Sequence, residues 1–202
     1  MVRYIKCSMT PRIAPLEPPF EEDVQRILTK MMPRQSPIPP LALFRVLARH
    51  PPLADAMQAL GSYFLGKKAN PAEALSSRDR EVVIDRVCAR CGCEYEWGVH
   101  AAVYGERVGL DGAQLAATVA PAGEGTALPE RDRLLVALVD VLHDTSHVPD
   151  ALWEKLAAHW TSTQLLELLV LSGWYHAIAY VANGARVPLE SWAARFPTAA
   201  AG

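Results

Sequence analysis

With 202 residues, half of them hydrophobic, the chain is long enough to bury a core of its own without disulfide or metal staples. A formal net charge of −2 and a pI of about 6.3 exclude the clustered basic surface of a nucleic-acid-binding protein. The opening Met1-Val2-Arg3-Tyr4-Ile5-Lys6 lacks an apolar stretch of signal-peptide length, and the longest charge-free run, Leu168 to Ala185, is interrupted by Ser172, Gly173, His176 and Asn183. A cytoplasmic protein with no membrane span is therefore expected.

In chain order the reading is all-α. Residues 1–40 hold eight prolines and read as an N-terminal arm, with one short helix over Glu21–Met32, where Val24, Ile27, Leu28 and Met31 recur at helical spacing. From residue 41 to about 195 a single helical domain follows. A helix over Leu41–His50 is expected to stop at Pro51-Pro52, and another runs from Leu53 to Leu65. Ser77 is the expected N-cap of a helix reaching about Cys91, with Gly92 as its turn. The next helix spans Cys93 to Gly109. Asp111 with Gln114 forms a capping box for a short helix, and a loop occupies Pro121–Ala127. Pro129 opens a helix to His143 and Pro149 one to Trp160. A second capping box, Thr161 with Gln164, starts an apolar helix that Asn183-Gly184 should end.

Three of the four cysteines, Cys88, Cys91 and Cys93, fall within six residues. Secreted disulfide scaffolds spread their cysteines, so the cluster points to redox chemistry, metal or packing. A structural zinc site needs four ligands, and no second Cys or His pair of ligand spacing accompanies the cluster. Neither a metal nor a cofactor is expected.

Cys93, Glu96 and His100 stand at i, i+3 and i+7, on one helix face. A turn at Gly92 would fold the preceding helix back and bring Glu81 to His100. A carboxylate beside an imidazole orients the ring and raises its basicity, so the ring can take a proton from a thiol or a substrate. A cysteine at a helix start beside an imidazolium is expected to have a lowered pKa. The same residues also fit a bland reading: a Glu–His pair on a solvated face and cysteines packed in a core.

The segment Arg80-Glu81-Val82-Val83-Ile84-Asp85-Arg86-Val87, followed by Cys93-Glu94-Tyr95-Glu96-Trp97-Gly98-Val99-His100 and by Ala101 to Leu110, resembles the carboxymuconolactone decarboxylase / alkylhydroperoxidase D superfamily. The similarity extends through Leu43–Pro51, Leu134–Asp140 and the tail around Tyr175, Asn183 and Val187–Glu190, roughly residues 40–190. The resemblance implies an AhpD-like helical bundle, with Glu81 and His100 matching the proton-relay pair. It also implies a homo-oligomer, a trimer or a multiple of it, acting on a small molecule. Hydroperoxidase members carry a Cys-x-x-Cys whose second cysteine precedes the histidine by four positions. Here Glu96 takes that place, Cys93 matches the first cysteine, and Tyr95 stands where a histidine is common. This Tyr-Glu-Trp variant sits between the peroxidase and decarboxylase branches.

Catalytic candidates are therefore Glu81, Cys93, Glu96 and His100, with Tyr95 and Trp97 as candidate substrate contacts. Arg80, Arg86 and Arg107 are candidate cations for a carboxylate substrate. Three readings stay open. One is a peroxidase-like oxidoreductase using a Glu-Cys-His relay. Another is a cofactor-free acid/base lyase acting on a small organic acid. The third is a non-catalytic oligomeric binding protein.

Overall fold

The computed structural model describes residues 10–33, 36–66 and 74–197, and among these every regular element is helical. Cys7 and the opening six residues lie outside the described residues. The contacts divide the chain into two units, Met1–Lys68 with Tyr180–Ser191, and Ala69–Ala179 with Trp192–Gly202.

In the first unit the described helices are α1 (Glu22–Met31), α2 (Ala42–Leu47) and α3 (Pro51–Leu65). Glu22 and Asp23 in the first turn of α1 and Lys30 in its last complement the helix dipole. Ile27 and Leu28 are fully buried, α1 packs on α3, and Lys30 bonds Asp55 at 2.7 Å. Residues 22–31 are thus packed. The extended stretch before α1 is held by α2 and its end, since Arg45 donates to the Leu16 carbonyl (2.9 Å) and Arg49 to that of Ala14 (2.6 Å). Pro51-Pro52 opens α3 rather than merely stopping the helix before it. Prolines are tolerated in a first turn, whose N–H groups lack intrahelical partners anyway, and the His50 ring accepts from the Leu53 N–H to complete the cap.

The second unit contains α4 (Ser77–Arg90), α5 (Glu94–His100), α6 (Gly112–Val119), α7 (Glu130–Thr145), α8 (Asp150–Ala157) and the start of α9 (Ser162–Ala185). Helix α4 packs against α5, α6 and α7 and is buried almost continuously from Asp79 to Cys88. Its N-cap is Ser76, whose hydroxyl accepts the Asp79 N–H at 3.0 Å, so the cap lies one residue earlier than expected. Burying so polar a helix requires partners. Arg86 makes a two-pronged ion pair with Asp140 (2.7 and 2.8 Å) and also donates to the Thr118 and Ala120 carbonyls. Arg78 pairs with Asp132 at 2.8 Å, and Arg131 grips Asp79 with both amino groups. The Trp160 indole N–H also donates to Asp79, and the Arg131 guanidinium lies over its ring.

Gly92 supplies a left-handed turn (φ 58°), and the Cys93 N–H returns to the Cys88 carbonyl at 2.8 Å. The two capping boxes are present, at Asp111/Gln114 and Thr161/Gln164. Helix α7 closes on left-handed Ser146. Helix α9 continues through Asn183-Gly184 to Ala185, and the left-handed residue is Arg186 (φ 54°). By length and composition α9 could cross a membrane, but half of its most apolar window is buried inside the protein.

Candidate active site

The turn at Gly92 folds α5 back along α4. His100, at the end of α5, donates from Nδ1 to Glu81 Oε2 at 2.8 Å. Its other nitrogen, Nε2, lies 3.2 Å from the Tyr175 hydroxyl on α9 and 3.5 Å from Glu96 Oε1. Three of the expected residues, Glu81, Glu96 and His100, are therefore brought together, and all three are buried.

Directly after His100 the helix widens into a single π-helical stretch, Ala101–Gly105. Such a bulge inserts a residue into the α register. The Tyr104 ring there lies 5.2 Å from the imidazole, and the Tyr175 ring meets it edge-on at 5.3 Å. The two tyrosines and Asp85 were not among the sequence candidates for the site. Asp85 did carry a signal. It stands four residues after Glu81, hence on the same face of α4. Both of its carboxylate oxygens are buried, without a hydrogen-bond partner among the described residues.

The electrostatics follow from burial and neighbours. Burial disfavours charge on His100, but the Glu81 and Glu96 carboxylates outweigh it and hold the imidazole pKa well above its ordinary range. Burial, reinforced by Glu81, raises Asp85 well above the usual carboxylate range, against a smaller pull from His100. Tyr175 is raised for the same reasons, burial first and then Glu96 and Glu81. The surroundings thus favour the charged form of His100 and the neutral form of Asp85.

Cys93 is the N-cap of α5 and is fully buried. The lowered thiol pKa expected from its helix-start position is not found. Burial and the Glu96 carboxylate push it up to about 12, against the backbone N–H groups of Glu96 and Tyr95, which bond the sulfur. A helix N-terminus lowers a thiol pKa, but apolar burial raises it, and here burial is complete and an anion is close. Burial, followed by Cys93 and Glu96, likewise raises Cys88. Glu96 Oε2 is buried with no hydrogen-bond partner among the described residues, leaving an acceptor open inside the site.

Of the candidate substrate contacts, Tyr95 is buried. Trp97 is engaged in packing: its N–H donates to Thr118 Oγ1 at 3.1 Å and its ring lies against Phe196. Arg86, a candidate cation for a substrate carboxylate, is locked in its pair with Asp140 and is not available for one. The tail braces α5 from outside. The Ala194 N–H donates to the Gly98 carbonyl, and the Phe196 N–H donates to Glu94. A Cβ at Gly98 would collide with the Ala194 carbonyl. A cavity of about 130 Å³ lies elsewhere, between α6 and α7, lined by Ala117, Leu128, Val136 and Asp140 among others.

This arrangement of helices is the AhpD-like all-α fold. The structure of an uncharacterized peroxidase-related protein from Silicibacter sp. TM1040 matches 96% of this chain and 100% of its own, with a TM-score of 0.73 at 17% identity. An alkylhydroperoxidase AhpD core protein from Ralstonia eutropha JMP134 matches over 89% and 93%, with a TM-score of 0.72 at 17% identity. The debrominase Bmp8 in its apo form matches over 92% and 95%, with a TM-score of 0.72 at 14% identity. A cysteine-to-alanine form of Bmp8, in complex with 2,3,4-tribromopyrrole, is equally similar in fold, with a TM-score of 0.72 at 13% identity. At these identities the likeness establishes the fold and not the activity. No family model matches the sequence, and no curated protein does.

Proposed function

We propose that the chain is a peroxidase-like thiol oxidoreductase in which Cys93 reacts and Glu81, His100 and Glu96 carry protons. The observation behind this reading is the continuous line from Glu81 through His100 to Glu96, whose backbone N–H bonds the Cys93 sulfur. A thiol with so high a pKa needs a base at the moment of attack. The open oxygen of Glu96 is that base. Cys93 gives its proton to Glu96 while the sulfur attacks the terminal oxygen of a hydroperoxide. The O–O bond breaks, and the departing alkoxide takes the proton back. Cys93 is left as a sulfenic acid, oxidised by two electrons. An external dithiol then reduces it, yielding a disulfide and water. Neighbours described as peroxidase-related, and a debrominase whose cysteine-to-alanine form was crystallised in complex with 2,3,4-tribromopyrrole, are consistent with cysteine chemistry on this fold.

A second reading is favoured by the burial of Cys93 and by the glutamate in place of a second cysteine. In it the relay alone serves as acid and base on a small organic acid, and Cys93 is packing. One experiment separates the two. Hydroperoxide consumption with excess dithiol is measured for the wild type and for Cys93→Ser. Loss of turnover in the variant supports the thiol enzyme. Equal turnover without Cys93 removes it and leaves the acid/base reading.

The oligomer is proposed on the same footing. Leu166, Val170 and Gly173 form an exposed row at i, i+4 and i+7 on α9. Such a row on a helix already buried on its other side wants a second copy of the chain. Sedimentation should give a trimer or a multiple of it, and monomer alone at micromolar concentration would remove the proposal.

A further inference from the structure

A second cluster of ligating side chains stands apart in sequence from the His100 relay. Cys91, on the turn closing α4, meets His143 of α7 and His176 of α9, and one ligand atom from each lies within 4.8 Å of the other two. We propose that these three residues form a binding site for a divalent transition-metal ion of the zinc class, with a fourth position left to water.

The geometry of the two imidazoles carries the argument. His176 Nδ1 donates to the Ser172 carbonyl at 2.8 Å, so the hydrogen of this ring is spent on the backbone of its own helix. Its Nε2 lone pair then points at His143 Nδ1, 2.9 Å away. A backbone carbonyl that fixes the far nitrogen is how proteins orient a metal-ligating histidine. Two nitrogens at this separation can each lie about 2.0–2.1 Å from a common ion. The rings are inclined at 35° with centroids 5.1 Å apart, so a small rotation opens the pair towards the tetrahedral angle. Cys91 adds a thiolate, which needs about 2.3 Å, and gives up its proton on binding. One sulfur and two nitrogens suit zinc, cobalt or nickel far better than magnesium or calcium, which take oxygen ligands.

The surrounding charges allow a cation. Arg90 is the neighbouring positive group, and it is paired with Asp140 (3.2 Å) and with Asp144. The site draws on three helices that are far apart in sequence, so ligand spacing along the chain conceals it. It shares no residue with the His100 relay.

Cobalt(II) is the probe. Full-length protein, reduced and stripped with a chelator, is titrated with Co²⁺ and then with Zn²⁺. The expected result is one equivalent of cobalt with tetrahedral d–d bands and a thiolate-to-cobalt charge-transfer band, displaced by zinc. Cys91→Ser should abolish the charge-transfer band, and His176→Ala should weaken binding by at least about a hundredfold, since loss of an orienting partner alone costs 10–100-fold. Circular dichroism checks that each variant folds. If Cys91→Ser or His176→Ala does not, His143→Ala takes its place and should weaken binding equally. Absence of a tetrahedral spectrum in the wild type overturns the proposal. So does a charge-transfer band that survives in folded Cys91→Ser, or binding unchanged in folded His143→Ala.

Discussion

Helix α4 presents two buried polar faces, and they are built on opposite principles. On one face, Asp79, Arg86 and Arg90 meet residues of opposite charge on α7, with two-pronged ion pairs at Asp79 and at Arg86. On the other, Glu81 and Asp85 face a single histidine, and among the described residues Asp85 has no hydrogen-bond partner. The first face matches each charge with its complement, which fixes the helix and leaves no proton to move. The second has more acidic groups than cations. Groups that cannot all be ionised together hold labile protons, and that is the state an acid/base site requires. The contrast separates burial for architecture from burial for chemistry within fourteen residues.

The largest effect should come from breaking the architectural face. Asp140→Ala leaves Arg86 buried without its partner and is expected to destabilise the fold by about 3–5 kcal/mol, read by chemical denaturation. A loss below about 1 kcal/mol would mean that the pair is solvated and the contrast overstated. On the chemical face, Glu81→Gln and His100→Ala should lower whatever turnover is found by at least about a hundredfold. Their denaturation midpoints should stay closer to the wild type than that of Asp140→Ala. Full activity in both folded variants would reduce the relay to a structural pair.

A smaller effect is a pH dependence of stability. His100 has a folded pKa raised above its unfolded value, so the stability from its charged form is complete below the unfolded pKa of about 6.5. It is lost as pH rises through the raised folded value. Denaturation midpoints should fall on the alkaline side, and this slope should flatten in His100→Ala. The smallest effect concerns Asp85. Its raised pKa means that the unfolded chain ionises first, so stability drops as pH rises past the ordinary carboxylate range. Asp85→Asn removes that term. It should be slightly more stable than the wild type near neutral pH and show no such gain near pH 3. A uniform loss at both would show that Asp85 has a partner in solution.

The approach of Glu81 to His100 was legible because it depends on local features, two helical segments and a glycine turn between them. The capping boxes were legible for the same reason. Tyr175 was not, because the feature that brings it to His100 is the packing of α9, 75 residues further along. The Cys91–His143–His176 cluster was hidden likewise, and the expectation of no metal rested on spacing along the chain alone. The raised pKa of Cys93 was not legible, because helix position shows in the local sequence and burial by distant segments does not. Pro51-Pro52 read as a stop because a proline that ends one helix and a proline that begins the next look alike in sequence.

The docking of the tail on α5 has a consequence for how the protein is made. Glu94 and its partner Phe196 are 102 residues apart, and the Gly98 carbonyl waits for Ala194. While the chain emerges from the ribosome, α4 and α5 can pair early, since only a short turn separates them. The outer side of α5 stays bare until residues 194 to 196 are released. The helix carrying His100 is therefore started as α5 is made and sealed only after residues 194 to 196 have followed it, so the candidate site takes its final form well after its own histidine has been translated.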